Sequence, residues 1–114
     1  MHELALIESV LTMVKENAQT NNIKKITIIK LVVGKFSMAV PESLQFAFEA
    51  FKDEEMFAEA VLEIKETPII CQCKACGHEF EVDDTYRFKC SQCGDSSIEI
   101  ISGRELYVDY YEGE

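Results

Sequence analysis

The chain has 114 residues, 47% of them hydrophobic, enough for one ordinary domain with a small satellite and too apolar for global disorder. Twenty-one acidic residues against eleven basic ones leave a formal charge of -10, which repels phosphate backbones and disfavours nucleic acid as a partner, while suiting protein partners and cation traffic. No apolar run approaches the about 20 residues of a membrane span, and the start carries no signal-peptide pattern, so the expected location is the cytoplasm.

In chain order, Leu4, Ile7, Leu11, Val14 and Ala18 recur at three- and four-residue steps, with Val10 beside them. This predicts one apolar stripe on an amphipathic helix over residues 3–20, with Asn21 and Asn22 as stop signals. Residues 24–33, rich in Ile and Val, predict a strand ended by Gly34. Residues 35–40 read as a second strand or an extended connection. Pro41 fits the first position of a helix and Glu42 its first turn; Leu44, Ala47, Phe48 and Phe51 form the buried stripe. Residues 60–66 read as another strand, with Leu62 and Ile64 on one face and Val61 on the other.

Thr67-Pro68 ends that strand and the composition changes. From Cys71 to Gly94 the chain is mainly cysteine, glycine, lysine and polar residues with few aliphatics, which cannot build an apolar core without a staple. Residues 98–101 suit a closing strand. In residues 104–111, Leu106, Val108 and Tyr110 alternate with Tyr107, Asp109 and Tyr111. This last strand is expected to return to the first sheet. The cysteine segment then becomes an insertion, dividing the chain into residues 1–68 completed by 103–114, and residues 69–102.

Five cysteines are an odd number, which argues against a disulfide framework. Cys73-Lys-Ala-Cys76-Gly and Cys90-Ser-Gln-Cys93-Gly form two CxxC knuckles thirteen residues apart. Each turn aims two sulfurs at one ion, and Gly77 and Gly94 permit the tight turn beneath it. Four thiolates at about 2.3 Å make a closed tetrahedral zinc site, whose work is folding rather than chemistry. The alternatives are a redox dithiol pair and an iron site; a redox CxxC opens a helix in a thioredoxin-like pattern, which this segment lacks. Cys71 reads as a bystander, with ligand exchange as its other reading. His78, beside the first knuckle, is either a partner of the ligands or merely exposed to solvent.

His2 and Glu3 stand at the mouth of the first helix, whose first amides have no intrahelical acceptor. The Met1 amine, these amides and a neutral imidazole offer a planar nitrogen-rich set, the geometry Ni(II) and Cu(II) favour. Glu3 supplies an axial oxygen, or simply complements the helix dipole.

Met1-His2-Glu3 leading into an amphipathic helix, Val32-Val33-Gly34, Pro41-Glu42-Ser43-Leu44 with Phe46-Ala47-Phe48-Glu49, and the two CxxC knuckles together resemble the HypA/HybF nickel-insertion proteins of hydrogenase maturation, over essentially the whole length. The resemblance implies an α+β fold, two helices packed on a small mixed β-sheet, with an inserted zinc-ribbon-like domain. It implies Ni(II) as cargo at His2, with Met1 and Glu3 nearby, and structural zinc at Cys73, Cys76, Cys90 and Cys93. Some members add a carboxylate from the start of the second helix, for which Glu42 is the nearest candidate; Cys71 lies outside the family's ligand set. The implied partners are a HypB-type GTPase and the large-subunit precursor of a [NiFe]-hydrogenase; some members also serve urease. No triad, phosphate-cradling loop or cofactor fingerprint is present, so no catalysis is expected. The rival readings are a structural zinc-ribbon adaptor, a nucleic-acid-binding regulator and a thiol oxidoreductase using Cys71 and Cys73.

Overall fold

A computed structural model describes residues 3–37, 39–83 and 87–114. Helix α1 spans Glu3–Thr20 and buries Ile7, Val10, Leu11, Val14 and Ala18, the expected stripe. Leu4, expected at the head of that stripe, is instead half exposed, because it lines an open groove beside the start of the second helix. The helix closes in a Schellman motif. Asn22 adopts a left-handed φ of 60°, its amide donates to the Gln19 carbonyl, and the Ile23 amide donates to Ala18 at 2.8 Å.

Strand β1 (Ile26–Gly34) is the centre of a three-stranded sheet. Where a strand or an extended connection was expected, the chain makes a 3-10 turn over Lys35–Ser37, and Val40, just before the next helix, is extended. The Ser37 hydroxyl closes the turn by donating to the Gly34 carbonyl at 2.7 Å. Helix α2 (Pro41–Glu49) follows, burying Leu44, Ala47 and Phe48, and β2 (Val61–Thr67) runs parallel to β1. Strand β6 (Leu106–Gly113) comes back from the far end of the chain and pairs antiparallel with β1, completing the order β2-β1-β6. The α+β class with a mixed sheet is therefore present. Its core joins the α1 stripe, the α2 face, Phe57 and the β1 residues Ile26, Ile29, Leu31 and Val33.

Strand β6 departs from simple alternation. The pairs Lys30–Tyr110 and Leu31–Val108 leave Asp109 as an extra residue, a bulge that turns the strand's faces over. Leu106, Val108 and Tyr111 consequently face the core, while Tyr107 and Tyr110 point outward. The Tyr111 hydroxyl also donates to the Asn17 side-chain carbonyl on α1.

Between β2 and β6 lies a second sheet, of order β4-β3-β5: β3 (Ile69–Cys73), β4 (Glu79–Val82) and β5 (Ile98–Ser102), all antiparallel. Among the described residues its fully buried cluster is Ile69, Cys71 and Val82, with Phe36, Phe80, Phe88, Ile98 and Ile100 around it. Three side chains are too few to stabilise a free-standing fold, as the composition suggested.

The two sheets meet at a close backbone crossing. Gly34 lies so near the Gly103 carbonyl that a β-carbon there would collide with it, and Gly103 itself has a φ of 115°. The Phe36 amide donates to the Gly103 carbonyl at 2.8 Å. The Phe36 ring meets Phe88 edge-on at 6.0 Å, with the Arg104 guanidinium 5.3 Å above it. Glu105 ties the crossing together: its carboxylate accepts from the Gly103 amide and the Thr67 hydroxyl, each at 2.7 Å. Among the described residues, no helix is long and apolar enough to cross a membrane.

Candidate metal centres

The two knuckles are built alike. In the first, the Gly77 amide donates to the Cys73 carbonyl at 2.8 Å; in the second, Gly94 donates to Cys90 at 2.9 Å. Both glycines have a φ of 77°, a conformation that side chains other than glycine's rarely adopt. The leading cysteine of each knuckle is held by a further backbone bond, Cys73 to the His78 carbonyl and Cys90 to that of Asp95. Cys73 and Cys90 are buried, whereas Cys76 and Cys93 are exposed, so each knuckle contributes one inner and one outer sulfur.

All four sulfurs lie within 4.8 Å of one another. Cys73–Cys93 and Cys76–Cys90 are each separated by 3.6 Å. A tetrahedron with metal–sulfur bonds of about 2.3 Å has sulfur–sulfur edges of about 3.8 Å, so the cluster has the right size for one four-coordinate ion such as zinc. When bound, that ion supplies a structural cross-link.

Local electrostatics prepare the sulfurs unequally. The Cys93 and Gln92 amides, both 3.4 Å from the Cys90 sulfur, draw that thiol down to about 6. The Asp95 amide favours a Cys93 thiolate, but bonding to Cys73, burial and the Cys90 and Cys76 sulfurs together push it up to about 12. A cation among the sulfurs would favour their thiolate forms together.

Cys71 stands apart from this cluster. It is wholly buried between the strand partners Phe80 and Ile100, and burial pushes its thiol up, the environment of an inert cysteine. His78 bridges the knuckles instead of joining the four sulfurs: its Nε2 lies 3.3 Å from the Ser91 hydroxyl and its ring stacks on Phe80.

At the other end, Met1 and His2 lie outside the described residues. Glu3 opens α1, and it lines the same groove as Glu42, from the first turn of α2. The starts of the two helices, distant in sequence, are therefore neighbours in space. Leu4 and Phe46 share that groove, and the residue-by-residue reading gave neither a role there. The one available signal was that Phe46 falls off the buried stripe of α2.

An α+β fold with four cysteine sulfurs gathered at the spacing of a single ion has the make of a metal-binding protein. The model of the family described as "Hydrogenase/urease nickel incorporation, metallochaperone, hypA" matches residues 1–113, and the chain belongs to that family. It is similar to the hydrogenase maturation factor HypA of Moorella thermoacetica, at 42% identity with all of both chains covered. It is similar also to that of Solidesulfovibrio magneticus, at 36% identity, again over the full length of each. Among solved structures, the nickel metallochaperone HypA from Helicobacter pylori superposes with a TM-score of 0.67 and 25% identity, covering 99% of this chain and 97% of the other.

Proposed function

We propose that this protein binds Ni(II) through the Met1 amine, the His2 imidazole, backbone amides at the head of α1 and Glu3, and passes it to the large-subunit precursor of a [NiFe]-hydrogenase. Glu42 is a further donor within reach of the same groove. A HypB-type GTPase is the partner in insertion. Zinc at Cys73, Cys76, Cys90 and Cys93 is structural. Residues 69–102 form the zinc module, inserted in the nickel domain formed by residues 1–68 and 103–114. The protein works in the cytoplasm and turns over no substrate of its own.

The observation that carries this reading is the match of a nickel-incorporation family model over residues 1–113, a stretch holding both His2 and the four-cysteine cluster. Carriage suits an open, nitrogen-rich site. Such a site holds Ni(II) yet leaves it accessible to a partner's ligands, whereas a closed sulfur tetrahedron does not. An ordinary imidazole titrates near about 6.5, so nickel affinity is expected to fall as pH drops through that value, when the proton competes with the metal.

The test is nickel calorimetry on untagged, zinc-loaded protein beside His2→Ala and a form with residues added before Met1. Tight uptake by the first and its loss in both others is expected. Equal binding by all three would remove the terminal site, and no binding by any would leave a structural zinc adaptor.

A further inference from the structure

Helix α2 buries one apolar face and leaves one large aromatic side chain, Phe46, outside it. Leu44, Ala47 and Phe48 enter the core, and the Gln45 side-chain amide donates to the Leu62 carbonyl at 2.7 Å, fixing the helix's rotation against β2. That rotation turns Phe46 outward, where it is 82% exposed, more than any other large hydrophobic residue described. Leu4, on the first turn of α1, is 52% exposed. Phe46 and Leu4 line a groove of about 480 Å³ together with the small residues Ala47 and Ala50, and it carries the carboxylates of Glu3 and Glu42. Its described lining contains no cation.

We propose that this groove docks an amphipathic segment of a partner protein, which seats a large apolar side chain against Phe46 and Leu4 and flanks it with lysine or arginine. Each part of that description follows from the lining. An aromatic ring left in water gains by being covered, and the alanines leave room for the side chain that covers it. Two carboxylates beside the apolar surface would be desolvated without compensation by a wholly apolar ligand, whereas a basic flank satisfies them. A second copy of this chain is the poorer occupant, since it would set Glu3 and Glu42 against their own kind on a protein of charge -10. The proposal's functional sense rests on the nickel reading above. Glu3 belongs both to the groove and to the proposed nickel donors, so a segment docked here brings a partner's ligands to the cargo.

The probe is a short synthetic amphipathic peptide of Leu, Phe and Lys, with a twin in which every Lys is replaced by Glu. Each is titrated by NMR into nickel-free, zinc-loaded full-length protein. Saturable shifts confined to residues 3–4 and 42–50 are expected for the basic peptide. Phe46→Ala should weaken it about tenfold or more. Tyr107→Ala, on the outer face of the sheet, should leave it unchanged, and the acidic twin should not bind. Shifts centred elsewhere, indifference to Phe46→Ala, or equal binding by the twin would overturn the proposal. So would a dimer seen in sedimentation that Phe46→Ala dissolves, since the groove would then belong to a second copy. Nickel calorimetry on Phe46→Ala keeps the two readings apart. Normal uptake with lost peptide binding is expected, while wild-type protein that takes no nickel yet binds the peptide would sink the nickel reading alone.

Discussion

At the scale of single residues, two positions hold the crossing between the sheets. Gly34 is there because no β-carbon fits against the Gly103 carbonyl. Gly34→Ala must force the strands apart, and a loss of about 1–3 kcal/mol is expected in denaturant unfolding. Glu105 works electrostatically. The Gly103 amide and then the Thr67 hydroxyl hold its carboxyl below the usual carboxylate range. A lowered folded-state value means stability that is present above the unfolded value and lost as pH falls through the folded one. Glu105→Gln should therefore lower the melting temperature at neutral pH. Its deficit relative to wild type should shrink as pH falls below the ordinary glutamate value of about 4.3. A deficit that stayed constant down to pH 3 would show that the charge plays no part.

Elements differ in how openly the sequence announces them. Helix α1 was legible to its ends, because five buried positions repeat at helical spacing and Asn22 can take the left-handed turn that stops it. The knuckles were legible because CxxC-Gly is a local geometry: the turn itself sets the sulfur positions, and the cluster followed from them. Strands β3 and β4 were not foreseen, since β4 is only four residues with glutamates at two of them, and its pairing is non-local. Nor does the β6 bulge disturb the sequence pattern. Leu106, Val108 and Tyr110 alternate perfectly on paper, and only the partner register reveals that Asp109 is extra and that Tyr111 takes the inward place. The groove of Glu3, Glu42 and Phe46 was hidden for the same reason, as it exists only once α1 and α2 lie side by side.

The knuckle elements also carry a prediction of their own. With three residues in its buried cluster among those described, the second sheet is expected to depend on a bound metal. Cys90→Ser removes a proposed inner ligand, whose thiolate the Cys93 and Gln92 amides favour. Hydrogen exchange should show residues 69–102 losing protection while α1 and β1 keep theirs. Loss of protection throughout the chain would contradict the division into two modules.

On the scale of the whole molecule, the chain measures 54 × 25 × 17 Å, with a helix-backed mixed sheet joined to a small four-sulfur sheet by two short crossings. This arrangement separates tasks. The larger core stabilises the helices whose starts frame the proposed cargo site. The cysteine cluster, a closed donor set once loaded, is expected to stabilise its own sheet. Nickel and zinc are then expected in different chemical surroundings within one chain. The most direct measurement is X-ray absorption at the nickel edge on untagged protein carrying one zinc and one nickel. Nitrogen and oxygen neighbours alone are predicted, with a signal that disappears in His2→Ala while the zinc remains. Sulfur around the nickel would place it among the cysteines and contradict a carrier site at the head of α1.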